Sequence, residues 1–225
     1  HYRISPWDGL VNALGSQQRL TFAHGADNRK FEPVLTGTFN VEFFANKTLS
    51  GAPVHTESME NIQSFMIGPI GGGKVDPAAF SVRISGTYTP AESGLHRAGF
   101  FATGPSRLIV DGRVVAQNWD SWTKGQTLFE EGCDEVTGEL QLVEGKPVSI
   151  VFEYATKKTD NLTFTAFQAG IGHPSDQSDI DEAVRIAASA DIVILCVGRN
   201  GEWDTEGADL PGIALPGKQN VLIEA

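Results

Sequence analysis

Apolar positions recur along this chain with two different periods, and the change of period divides it in three. Near the start, Trp7, Leu10, Val11 and Leu14 fall three or four apart, the spacing of one helix face, with Gly15 placed to end the helix. The run 20–23 (Leu20 to Ala23) then reads as a short strand closed by His24-Gly25. From about Phe31 to Phe167 the helical period vanishes. Short alternating runs replace it at 39–44, 80–88, 96–102, 107–110, 114–116, 139–142, 148–154 and 162–167. Asp111-Gly112, between two of them, is a strong hairpin signal. Strands this short and regularly spaced predict an antiparallel sandwich or barrel. The helical period returns with Ile180, Val184 and Ala187 on one face of a helix capped by Ser178 or Asp179 and running to about Ala190. The apolar run 192–197, bounded by Asp191 and Gly198, reads as a buried strand with Cys196 as an inert core thiol, and a further helix starts at Gly217.

Helix–strand–helix alternation implies an α/β layer with a largely parallel sheet. The predicted fold class is therefore α/β flanks, an incomplete α/β sandwich domain, with an inserted all-β antiparallel sandwich. The boundaries fall at 1–30, 31–172 and 173–225. Insertion is the economical topology because domain termini often lie close together. Gly71-Gly72-Gly73 reads as a local strand connection. The chain begins His1-Tyr2-Arg3 and ends at Glu224-Ala225 inside a helical pattern, so it reads as a fragment of something longer.

Composition narrows the function classes. The 225 residues are 40% hydrophobic and carry a net charge of -11. That balance argues against nucleic-acid or anionic-membrane partners, which need clustered Lys and Arg, and suits a neutral ligand such as a sugar. No apolar run approaches the ~20 residues that span a bilayer. The five histidines lack metal-ligand spacing, Gly198-Arg199-Asn200-Gly201 lacks the dinucleotide fingerprint, and no G-x-S-x-G elbow occurs. Neither a cofactor nor a metal is expected. Cys133 and Cys196 read as free thiols, and Asn46-Lys47-Thr48 and Asn161-Leu162-Thr163 are glycosylation sequons that matter only to a secreted chain.

Chemistry concentrates after the predicted 192–197 strand. Glu202, Asp204, Glu206 and Asp209 put four carboxylates within eight residues, around Trp203. Loops at the carboxyl ends of strands are where α/β sheets gather ligands, and a carboxyl beside an apolar ring can hold its proton as a general acid. The bland alternative is a solvated acidic loop.

The flanks resemble pieces of the second, α/β-sandwich domain of family-three glycoside hydrolases, the β-glucosidase family. The resemblance rests on Ser5-Pro6-Trp7-Asp8-Gly9-Leu10, on Ala187 to Ile194 leading into Val197-Gly198-Arg199-Asn200, and on Glu202 to Asp209 with Leu215-Pro216-Gly217-Lys218-Gln219. The middle resembles the protective-antigen-type β-sandwich inserted in many fungal members, through residues 83–96, Gly99-Phe100-Phe101, Leu108 to Gly112 and Asn118-Trp119. One departure is Leu210, where the family motif often has Arg, and another is Asp204, where it often has Glu.

The resemblance implies a retaining β-glucosidase that removes terminal glucose from β-glucosides or short oligosaccharides. Glu206 is then the acid/base, with Glu202 and Asp204 as weaker candidates and Trp203 as an apolar wall; Trp203 and Asp204 contact substrate. The nucleophile would be an Asp on a barrel domain absent from this chain, so the fragment alone is expected to be inactive. In relatives the insert overhangs the active-site mouth, which casts Trp119, Trp122 and Phe129 as rim residues; simple packing under a long loop is the alternative. Secretion is expected by analogy with fungal relatives, with a cytoplasmic location as the alternative. A competing reading is a non-catalytic carbohydrate-binding or adhesion module. Adhesin sandwiches of this type bind calcium through an Asp pair, and no Asp-Asp dipeptide occurs here.

Overall fold

The computed structural model describes residues 4–17, 19–157, 164–204 and 212–225. Its described residues fall into two compact units. The larger holds residues 29–174 together with 201–204; the smaller holds those up to Asn28, 175–200 and 212–225.

The larger unit is two antiparallel sheets. Strands β1 (Thr36–Phe44), β2 (His55–Asn61), β4 (Ser81–Tyr88), β6 (Ser106–Val110), β7 (Arg113–Gln117) and β9 (Val148–Ala155) form one, in the order β2-β1-β4-β9-β6-β7. Strands β3 (Gln63–Met66), β5 (Gly94–Ala102), β8 (Val136–Leu142) and β10 (Thr165–Gly172) form the other, in the order β3-β10-β5-β8. Alternation decides the facing. Val82 and Ile84 of β4, Ile150, Phe152 and Tyr154 of β9, and Phe100 and Ala102 of β5 all point into a common core at 1% exposure or less. Rings bridge the layers: Phe152 lies 5.7 Å from Phe100 and 5.3 Å from Phe167 between centroids. Burying each such side chain is worth about 1.5–3 kcal/mol, which makes this the main source of cohesion.

The antiparallel sandwich predicted for the middle of the chain is thus present. Two strands escaped the sequence pattern, β2 and β3, and both are edge strands with little buried surface. Asp111 has φ 46 at the β6–β7 turn, and its carboxylate accepts the Ser149 N–H at 2.7 Å, tying the hairpin to β9. Its place is the turn. Residues 29–35 run as a strap alongside β10. The Leu35 N–H donates to Ala169 O and the Ile171 N–H to Pro33 O, each at 3.0 Å. Gly170 makes this approach possible, since a Cβ there would lie 2.4 Å from Glu32 O.

The smaller unit contains α1 (Pro6–Leu14), α2 (Gln177–Ala187) and α3 (Gln219–Glu224). Helix α1 closes on Gly15 at φ 68, as its sequence predicts, and opens with a Ser5–Asp8 capping box that the apolar spacing did not mark. Helix α2 is capped by Asp176, not by Ser178 or Asp179, and ends at Ala187 rather than near Ala190. The Asp176 carboxylate accepts the Ser178 N–H at 2.7 Å, while Asp179 turns back to accept the Asp176 N–H at 2.9 Å. Asp179 is therefore the N3 partner of the box.

The two strands predicted in the flanks do not form. Residues 20–23 carry no ladder, and Phe22 is 70% exposed. Residues 192–197 are likewise unpaired among the described residues, with Ile192 at 80% exposure, and Cys196 is an exposed thiol rather than a core one. The physical reason is that strands exist only as ladders. An apolar run suited to burial on both faces needs neighbours that no described element supplies. Cys133, in contrast, is buried, and both thiols are free.

Candidate functional site

The strap at 29–35 receives two carboxylates on successive alternate residues. The Lys30 N–H donates to Glu202 Oε2 at 2.8 Å, and the Glu32 N–H donates to Glu135 Oε1 at 2.8 Å. The two donors are two residues apart on one short bent stretch, so the two acids are brought near each other, and the Glu202 charge acts on Glu135. Glu135 stands just before β8, and Glu202 opens the acidic loop. The Glu32 side chain, 2% exposed, accepts from Arg97 Nε of β5. The Lys30 ammonium lies 5.6 Å from the Trp203 ring centroid and 5.3 Å from that of Phe31, which packs against Phe101 at 4.5 Å. Desolvation is the main reason that the Glu135 carboxyl is pushed up to about 7. The charges of Glu32 and Glu202 push the same way, against the Glu32 N–H and Arg97, which favour the ionised form.

A second cluster lies on the long connection between β7 and β8. Leu128, Phe129 and Glu130 have φ of 52, 59 and 62, three non-glycine residues in succession in the left-handed region. Such residues cost roughly 1–2 kcal/mol each. The turn persists because it is over-determined: the Gly132 N–H donates to Thr127 O at 3.0 Å, the Glu131 N–H to Leu128 O at 3.1 Å, and Thr127 Oγ1 to Cys133 O at 2.6 Å. Its product is a displayed ring. Phe129 is 70% exposed and stands edge-on to Phe65 at 6.2 Å, which in turn packs on Phe164 at 4.9 Å.

These positions sort the residues singled out by sequence. Glu206 lies outside the described residues, as do Thr205 and 207–211. Trp203 and Glu202 are half-buried against the strap, and Asp204 is exposed. Trp119 is half-buried, with the Arg107 guanidinium 4.8 Å from its centroid. Trp122 is a core residue: it is 8% exposed, its indole N–H donates to Ala102 O at 3.0 Å, and Lys157 covers its ring at 3.9 Å. Its ring is packed in the core rather than displayed as a rim residue would be.

Sequence reasoning missed Glu135, Glu32 and Lys30, which meet the acidic loop only in three dimensions. It also missed Phe65, for which an aromatic in a short run between polar residues was the sole signal. Among the described residues, no group of three or more His, Cys, Asp or Glu side chains is arranged to hold a metal ion, and no helix is long and apolar enough to cross a membrane.

Comparison with known proteins places these features in context. Residues 35–183 match the profile of the PA14 domain. Over its whole length the chain is 38% identical to a β-glucosidase of Rhizobium radiobacter, of which it covers 28%. It is 28% identical to the probable beta-glucosidase J of Aspergillus fumigatus, covering 29% of that protein. Among solved structures, the β-glucosidase from Kluyveromyces marxianus in complex with glucose matches 100% of the chain and 29% of its own, with 25% identity and a TM-score of 0.84. The chain therefore spans under a third of the length of the curated relatives it matches.

Proposed function

The chain belongs to the PA14 domain family, and from that premise we propose that it is the segment of a retaining β-glucosidase, of glycoside hydrolase family three, that supplies the acid/base Glu206 and a substrate-gating insert. The observation that carries this reading is the likeness to β-glucosidases across 100% of the chain, acidic loop and sandwich alike. The flanks then belong to an α/β layer completed by other parts of a longer polypeptide. The unpaired apolar run 192–197 is consistent with that.

In this reading, Glu206 protonates the glycosidic oxygen while an aspartate on a barrel domain outside this chain attacks the anomeric carbon. It then takes a proton from the water that releases the sugar. Retention requires the two carboxyls to stand roughly 5–5.5 Å apart. Trp203 and Asp204, next to the acid in sequence, are assigned to the bound sugar. Phe129, with Phe65 behind it, is assigned to the rim on the leaving-group side, with Trp119 beside the same long connection. Trp122 supports the connection from beneath. The substrate is a β-glucoside or short oligosaccharide, and secretion is part of the proposal.

The test is Glu206→Gln in the longer enzyme. Turnover of glucosides with poor leaving groups should fall by about 10²–10⁴. Aryl glucosides whose phenolate leaves unaided should lose far less, because they need no proton. Unchanged turnover of an unactivated disaccharide would remove Glu206 from the role. The 225-residue chain by itself should show no turnover.

A further inference from the structure

Glu202 opens the loop on which the proposed acid/base lies, and its carboxylate accepts the Lys30 N–H of the sandwich strap. Its neighbour on that strap is a second carboxylate, from a distant part of the sandwich. We infer that Glu135 is a positioning residue for Glu202 and Trp203, at the start of the acidic loop: by holding the Glu32 N–H beside the Glu202–Lys30 contact, it fixes the seat of those two residues.

Three geometric facts carry this. First, Glu135 and Glu202 accept from N–H groups two residues apart on one strap, at 2.8 Å each, so the two contacts share the short stretch from Lys30 to Glu32. Second, the strap has little freedom of its own. It is pinned to β10 through Leu35 and Ile171, and the close approach at Gly170 leaves no space to slide. The Lys30 N–H that Glu202 accepts is therefore held on a strap anchored to β10. Third, Lys30 carries both halves of the contact: its N–H holds Glu202 and its ammonium lies over Trp203.

The charges facing Glu135 come from every side of this seat. Glu32 lies on the strap, Arg97 on β5, and Glu202 on the loop; Lys30 and Arg29 are the other charged residues of the strap and Asp134 that of its own segment. With Glu135 ionised, two like charges lie against the same two N–H donors, and the seat of Glu202 loosens. With Glu135 neutral, its carbonyl oxygen still accepts the Glu32 N–H and the repulsion is gone. The sandwich thereby makes the placement of Glu202 and Trp203 depend on one proton outside the loop. This rests on the reading that Glu206 is the acid/base only where catalysis is concerned; the seat of Glu202 and Trp203 stands apart from it.

The experiment has two arms. In the 225-residue chain labelled with 5-fluorotryptophan, the Trp203 resonance is identified by its loss in Trp203→Phe and followed against pH. It should titrate with a midpoint near 7, the value for Glu135. Glu135→Gln should abolish that step, and Glu206→Gln should leave it in place. In the longer enzyme, Glu135→Ala should lower kcat about tenfold or more with little change in KM, as expected when a catalytic group is displaced rather than removed. Glu135→Gln, which keeps the acceptor, should restore kcat and carry activity to higher pH.

A Trp203 resonance that ignores pH, or one whose step survives Glu135→Gln, overturns the proposal even if Glu206→Gln is inactive. A step lost in Glu135→Gln, together with full activity of Glu206→Gln, would keep the seat and discard the assignment of the acid.

Discussion

Glu153 is 3% exposed and sits on β9 between two arginines. Arg83 Nε of β4 donates to one carboxylate oxygen at 2.8 Å, and Arg107 Nε of β6 donates to the other. One acid thus links three adjacent strands. Phe44 and Trp119 lie 5.5 and 4.8 Å from the two guanidinium carbons and shelter the outer faces of these pairs. Removing the acid alone would leave two like charges on neighbouring strands, which is the expensive way to break such a pair. Glu153→Ala should lower the unfolding free energy by about 3 kcal/mol, measured by urea denaturation at neutral pH. Glu153→Gln, which keeps an acceptor, should lose distinctly less. Equal losses for the two would mean that packing, not charge, is what Glu153 contributes. None of this was visible in the chain, where Glu153 is simply a polar position in an alternating run.

At the scale of elements, the two sheets also meet at their margins. Gly138 of β8, an edge strand of one sheet, faces Val115 of β7, an edge strand of the other, and a Cβ at Gly138 would lie 2.0 Å from Val115 O. The approach is between backbones, so no side chain can yield. Gly138→Ala should force the edges apart and lower stability by about 1–3 kcal/mol, the usual cost of overpacking. A fall in thermal midpoint with unchanged far-ultraviolet circular dichroism would register it; an unchanged midpoint would show that the margin is soft. Strands whose apolar residues alternate along the sequence, such as β4 and β9, were legible because alternation follows from the pleat. Strand β2, with the sequence His-Thr-Glu-Ser-Met-Glu-Asn, was not, because an edge strand with so little buried surface leaves no periodic mark. The run 192–197 misled in the opposite sense: it has the composition of a doubly covered strand without a described partner.

Across the whole larger unit, the seat of the acidic loop also gives stability a pH dependence. The carboxyl of Glu135 goes from an ordinary 4.5 to about 7 on folding. Between those values the native state keeps a proton that the unfolded chain gives up. The contribution is therefore most favourable below about 4.5 and declines as pH rises toward 7, the reverse of a salt-bridged carboxylate. The urea midpoint of the natural chain, minus that of Glu135→Gln, should fall across this window and be level above it. A difference that stays constant with pH would refute the shift.

What the chain by itself determined is whatever local chemistry repeats or marks. Asp111-Gly112 dictated a hairpin, Gly15 a helix end, and the alternating runs a sandwich. The density of carboxylates around Trp203 marked the stretch whose first acid, Glu202, meets the strap. What only the tertiary structure decided is which distant groups meet. Lys30 and Glu202 are 172 positions apart and Glu32 and Glu135 are 103 apart, yet one strap joins them. Trp122 and Phe129, alike as aromatics in one loop, went one into the core and the other into solvent. Periodicity records which face of an element is buried, but a residue's neighbours across the fold leave no trace in its own segment.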